Sequence, residues 1–88
     1  MSHPVSGEIN RTVLDADEVL KRIENYFQGA SCEKDYTDGL SVSCDTFRVN
    51  VRKSNTEPVL RLNVESRGDR ELMETKTREL LQLIEAQG

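Results

Sequence analysis

Phe47-Arg48-Val49-Asn50-Val51-Arg52-Lys53-Ser54-Asn55-Thr56-Glu57-Pro58-Val59-Leu60-Arg61-Leu62-Asn63-Val64-Glu65 reads as two strands joined by a turn. On the first limb Phe47, Val49 and Val51 alternate with Arg48, Asn50 and Arg52. On the second, Leu60, Leu62 and Val64 alternate with Arg61, Asn63 and Glu65. A period of two puts the apolar set on one face of a strand and the polar set on the other. Folding the limbs about the middle of residues 52–58 sets Val51 opposite Leu62 and Val49 opposite Val64. Asn50 then meets Asn63, and Arg48 meets Glu65. The same register places Arg52 opposite Arg61. Like charges at opposed positions destabilise a sheet, so the pair has two readings. Either both guanidinium groups point into water, or an anion is held between the strands and the loop.

The loop carries groups an anion would use. Ser54 and Thr56 bring hydroxyls, Asn55 brings an amide and tolerates left-handed backbone angles, and successive turn N–H groups can form a concave nest. Pro58 lacks an N–H, which suits the first residue of a strand, and its fixed φ stiffens the loop exit. Lys53 falls on the opposite strand parity and is read as a solvated lysine. Glu57 would repel an anion and is read as a surface residue.

The rest of the chain completes an α+β domain of four antiparallel strands backed by two helices. A short first strand is expected over residues 8–13. Asp15 is a helix N-cap, with Glu18 three residues on in capping-box position and Leu14 placed to staple onto Val19. Val19, Leu20, Ile23, Tyr26 and Phe27 trace one apolar stripe, and Gly29 ends that helix. Residues 30–39 are polar and read as turns. Leu40, Val42 and Cys44 form a second strand. The hairpin supplies the third and fourth, the last ending near Arg67. Gly68-Asp69 opens a final helix that faces Leu72, Met73, Leu80, Leu83 and Ile84 inward. The polar strand parity, with Arg48, Arg52 and Arg61, faces away from the helices.

Eighty-eight residues support one small core. A formal charge of −4 argues against nucleic acid, which rewards a dense basic face. There is no apolar run long enough for a membrane span and no secretory signal. Met1-Ser2-His3-Pro4 reads as a leader, with residues 1–5 as linker and 6–88 as the domain; His3, the one histidine, is read as inert. Cys32 and Cys44 are too few and too irregularly spaced for a disulfide framework or a metal site. They are read as free thiols of a reducing cytoplasm, a disulfide between them being the alternative. Asp15 and Asp17 have the spacing of paired carboxylates, but both are read as cap and dipole partners of the first helix.

Arg52-x-Ser54-Asn55-Thr56-x-Pro58 followed by an apolar strand resembles the phosphate-binding loop in the last domain of the α-D-phosphohexomutases. Ser6-Gly7-Glu8-Ile9-Asn10 resembles the start of that domain, and Thr37-Asp38-Gly39-Leu40 the turn before its second strand. Asn63-Val64-Glu65-Ser66-Arg67-Gly68-Asp69 resembles its strand-to-helix exit. The likeness runs in order along nearly the whole chain and is strongest to bacterial phosphomannomutase/phosphoglucomutase enzymes. It implies a sheet and helices resembling one half of a TATA-binding protein. It also implies phosphoryl transfer between the 1- and 6-positions of a hexose through a phosphoserine, a magnesium ion and a bisphosphorylated sugar. The phosphoserine and metal loops of that family lie in earlier domains, so magnesium is expected outside this chain and the chain alone is expected to be inactive. Carried over by position, Arg52 is the main charge partner of the substrate phosphate. Ser54, Asn55 and Thr56 complete the cradle, and Arg61 is a further contact through the register. The partners implied are a mannose or glucose phosphate and the other domains of a longer chain. Asn55 favours this branch over the phosphoglucosamine mutases, which resemble Ser-Gly-Thr-Glu-Pro here. A free-standing phospholigand module and a purely structural domain are the alternatives from other classes.

Overall fold

In a computed structural model, residues 47–65 form the central hairpin of an antiparallel sheet. The structure describes residues 4–37 and 39–85; Met1 to His3 of the expected leader and Asp38 of the expected turn lie outside them. In chain order the elements are β1 (Ile9–Thr12), α1 (Ala16–Tyr26), β2 (Glu33–Asp35), β3 (Leu40–Ser43), β4 (Phe47–Lys53), β5 (Val59–Ser66) and α2 (Arg70–Glu85). The sheet order is β1-β5-β4-β3-β2. Every neighbouring pair is antiparallel. Both helices share one core cluster with the apolar strand parity, so they cover a single face of the sheet.

The hairpin register is the one the alternation dictates. Val49 pairs with Val64, Val51 with Leu62, Asn50 with Asn63, Arg48 with Glu65 and Arg52 with Arg61. Val49, Val51, Leu60 and Leu62 are fully buried, packed with Ile23, Leu80 and Ile84 of the helices. Burying each such side chain contributes roughly 1.5–3 kcal/mol. Asp15 caps α1 by accepting from the Glu18 N–H at 3.2 Å. Asp69 caps α2 by accepting from the Leu72 N–H at 2.9 Å. At the other edge, Pro4 and Ser6 bond to the β5 backbone: Ser66 N–H donates to Pro4 O at 3.0 Å, and Ser6 N–H to Val64 O at 2.8 Å.

Three expectations need correction. The sheet has five strands rather than four, because Glu33-Lys34-Asp35 pairs with β3 through the backbone ladder. As an edge strand without apolar residues it carries no hydrophobic alternation to reveal it. Cys32 and Cys44 are not free thiols but a disulfide, with Cα atoms 4.4 Å apart. Glu33 pairs with Ser43, so Cys32 and Cys44 fall opposite one another one step further along the same two strands. The inference from free thiols to a reducing compartment loses its basis, since disulfides persist mainly in oxidising ones. Finally, Leu14 does not staple α1: it is 87% exposed. Val13 takes the inward position instead, its N–H donating to Pro58 O at 2.8 Å. Within the α1 stripe Tyr26 is also exposed, its hydroxyl donating to Glu79 at 2.6 Å.

The disulfide closes a loop with a sequence separation of 12, which constrains the unfolded chain and should stabilise the domain by about 2–3 kcal/mol. Reduction, or Cys32→Ser with Cys44→Ser, should therefore lower Tm by roughly 10–20 °C in a domain of this size. Thermal scans with and without a dithiol reductant measure this, and coincident curves would contradict it.

Candidate functional site

The loop between β4 and β5 is closed by its own backbone and by one hydroxyl. Ser54 N–H donates to Val59 O at 3.0 Å, and Val59 N–H donates back to Glu57 O at 2.8 Å across Pro58. Ser54 Oγ accepts from the Thr56 and Glu57 N–H groups, both at 3.3 Å, and lies 3.5 Å from Thr56 Oγ1. Ser54 thus organises the turn as an acceptor of two N–H groups, and one proton is shared between its hydroxyl and that of Thr56. Among the described residues no non-glycine has positive φ. Asn55 is therefore not left-handed, and the loop lacks the alternating backbone handedness of a true nest.

All five residues singled out from the sequence meet. Arg52, Ser54, Asn55, Thr56 and Arg61 line one cleft of about 570 Å³, together with Leu20, Lys53, Thr37 and Gly39. Two opposed arginines from adjacent strands form its cationic wall. Leu20 of α1 and the β2–β3 turn contribute the remaining lining that the sequence reading missed. Lys53 is exposed, as its strand parity implies, and its Nζ also lies 2.6 Å from Asp17 Oδ1. Odd strand parity directs it to the helix side, where it ties the start of the loop to the first turn of α1. The pair is largely exposed, so its energetic contribution is small.

The β2–β3 turn is held against this cleft from several directions. Tyr36 donates its hydroxyl to Glu24 of α1, and the Thr37 N–H donates to Asp35 Oδ1 at 2.8 Å. Those contacts have opposite effects on their acids. The carboxylate of Glu24 raises the Tyr36 phenol above its ordinary value, because the hydrogen bond favours the protonated form. Hydrogen bonds from the Thr37 side chain and backbone hold the Asp35 carboxyl below its ordinary range.

A second cleft, of about 500 Å³, lies at the opposite end of the hairpin and is lined by Ser43, Cys44, Phe47, Arg48, Glu65, Ser66 and Arg67. There Arg48 opposes Glu65, so the cross-strand pair is self-neutralising. Only the loop end sets cation against cation.

Residues 8–82 match the family model for the phosphoglucomutase/phosphomannomutase C-terminal domain. A Salmonella montevideo protein named phosphomannomutase is 52% identical over 81 residues, covering 92% of this chain and 18% of its own length. A Xanthomonas campestris protein named phosphohexose mutases is 51% identical over 81 residues, with the same coverage. A phosphomannomutase of Methanocaldococcus jannaschii is 42% identical over 82 residues, 93% of this chain and 18% of that relative. The chain spans 18% of the length of the curated relatives it matches.

The lowered Asp35 carboxyl gives the cleft wall a defined acid dependence. Its contribution is present above the ordinary aspartate value and is lost as pH falls through the lowered folded-state value. The Thr37 amide resonance should report a single acid transition whose midpoint lies below the ordinary aspartate value. Asp35→Asn should remove the transition. A Thr37 transition centred at or above the ordinary aspartate value would contradict this arrangement.

Proposed function

Because the chain belongs to the phosphoglucomutase/phosphomannomutase C-terminal domain family, we propose that its β4–β5 loop anchors the unreactive phosphate of a hexose phosphate during phosphoryl transfer elsewhere in a longer chain. The observation that carries this reading is Arg52 opposed to Arg61 beside a cleft that also gathers Ser54, Asn55 and Thr56. A dianionic phosphate between the two arginines would convert a destabilising cross-strand pair into charge-assisted hydrogen bonds. Each such bond contributes roughly 1.5–3 kcal/mol. Arg52 presents a planar fork that matches phosphate geometry. Of the Ser54 and Thr56 hydroxyls, the one not donating to the other donates to the phosphate, and Asn55 donates its amide.

The loop performs no bond-making. It holds the far end of the sugar, so that binding energy remote from the reaction orients the end that reacts. In the full reaction a hexose 1-phosphate and a hexose 6-phosphate interconvert through a phosphoserine and a bisphosphorylated intermediate. One anchor must then grip either phosphate in turn. The described residues gather no group of three or more His, Cys, Asp or Glu side chains able to hold a metal ion. They do not fit the magnesium that such an enzyme would use, and no step here passes through one. The chain by itself is proposed to be inactive, because the family resemblance puts the phosphoserine and metal loops in earlier domains.

Mannose 1-phosphate is the first ligand to test, since relatives carry the name phosphomannomutase; glucose phosphates come second. Asn55 argues against a glucosamine phosphate branch. The open polar face of the sheet is read as the architecture of one TATA-binding-protein half turned to a sugar phosphate instead of DNA. Among the described residues no helix is long and apolar enough to cross a membrane.

In the full-length mutase carrying this domain, Arg52→Ala should reduce kcat/KM by about tenfold to a hundredfold, raising KM and also lowering kcat. Arg61→Ala should cost less. For the 88-residue chain, an amide NMR titration with mannose 1-phosphate should shift residues 52–56 and Arg61, whereas mannose should not. Unchanged kinetics in the Arg52→Ala enzyme would refute the anchor role.

A further inference from the structure

We infer that Gly39 is a positioning residue for Arg52, setting where the guanidinium stands in the cleft through the close contact that only a side-chain-free residue permits; this rests on the phosphate-anchor reading. Leu40 pairs with Val51, so one step further along the same two strands brings Gly39 opposite Arg52. Asn10 pairs with Arg61, and Arg61 with Arg52. One row across the sheet therefore runs from Asn10 through both arginines to Gly39. Gly39 and Arg52 both line the cleft.

The fit at this position leaves no room for a side chain. A Cβ on Gly39 would stand 2.5 Å from Val51 O, 2.9 Å from Arg52 Cγ and 3.0 Å from Arg52 Cα. Two of these atoms are backbone of a central strand whose side chains at 49 and 51 are fully buried, so β4 cannot yield. The overlap with Val51 O is relieved only if the β2–β3 turn lifts away from β4, and the overlap with Arg52 Cγ either by that lift or by the Arg52 side chain leaving its place. The lift removes part of the cleft wall, and the side-chain shift moves the phosphate-binding group itself.

Gly39 also has φ +82°, so a substitution there is strained whatever the space. That cost must be separated from the contact, and the structure supplies the control. Gly29 has φ +85° with nothing within 4 Å of a Cβ, and it follows α1 rather than bordering the cleft. Gly29→Ala loses the same backbone freedom without touching Arg52. Gly39→Asn complements it, because asparagine tolerates positive φ better than other side chains yet still carries the Cβ.

The experiment titrates inorganic phosphate into the wild-type chain and the Gly39→Ala, Gly39→Asn and Gly29→Ala variants. The readouts are the Arg52 Nε–Hε resonance and the amides of residues 54–56, with Tm measured in parallel. Both alanine variants should lower Tm. Only the Gly39 variants should displace the Arg52 Nε–Hε resonance before phosphate is added, and they should weaken phosphate binding by about tenfold or more. Gly29→Ala should bind as the wild type does. If Gly39→Ala is partly unfolded, trimethylamine N-oxide restores the compact state for the titration, and Gly39→Asn provides the independent reading. Folded Gly39 variants with wild-type Arg52 shifts and wild-type affinity would overturn this role and leave the anchor reading standing. A wild-type chain whose Arg52 and loop do not respond to phosphate would overturn the anchor reading and this role with it.

Discussion

The pairing of β4 with β5 fixes almost everything else in the molecule. Side chains alternate across a strand, so a slip of one residue would turn either Val49 and Val51 or Leu60, Leu62 and Val64 out of the core. Each of those burials is worth roughly 1.5–3 kcal/mol. The repulsion between directly opposed like charges amounts to roughly 0.2–1 kcal/mol. The apolar pairs therefore win by a wide margin, and they force Arg52 to face Arg61. The cationic pair at the loop end is a consequence of the register that the core demands.

The same pleat divides the work of neighbouring residues. Arg52 and Lys53 are adjacent in sequence but leave the strand on opposite sides. Arg52 stays on the open face beside Arg61, while Lys53 crosses to the helix face and meets Asp17. The loop between the strands is then tied down at both ends, by Lys53 to α1 and by Pro58 O to the Val13 N–H. Ser54 fills its centre and accepts two backbone N–H groups. Helix, strand and turn each restrain the loop without occupying its outer side. An anchor needs that combination, since a group that must orient a substrate loses its value if it is free to follow it.

Periodicity made the hairpin, its register and both helices legible, because each rests on a pattern within its own segment; Ser54, Asn55 and Thr56 stood out by their side-chain chemistry and by resemblance, and the structure brings them into one cleft with Arg52 and Arg61. What escaped the sequence has no such local signal. Glu33-Lys34-Asp35 has a strand's pairing but no apolar residue, since an edge strand held by backbone bonds needs none. The Cys32–Cys44 bond follows from that strand: its 12-residue spacing means nothing until β2 is known to lie beside β3. Leu14 misled because it occupies a staple position by count, whereas the Val13–Pro58 hydrogen bond turns the chain so that Val13 faces in. Gly39 was readable as a turn residue, but its contact with Arg52 joins segments 13 positions apart in number and belongs to tertiary structure alone.

The exposure of the site follows from the task proposed for it. Arg61 and the loop tip at Asn55 and Thr56 are solvent-exposed, and Arg52 is half-buried. Charge-assisted bonds in such a setting are weakened by water and screened by salt within a Debye length of about 8 Å at physiological ionic strength. A deep, dry cradle would hold phosphate more firmly. In the proposed role it would also oppose the release and turning of a bisphosphorylated sugar offering each phosphate to one anchor in succession. An open cationic wall on a rigid sheet can grip weakly while solvent has access and strongly once other parts of a longer chain exclude it, because the same charges interact more strongly as the local dielectric falls. Positional precision is therefore assigned to the sheet, through the register and the bare backbone of Gly39, and adjustable strength to the degree of closure around it.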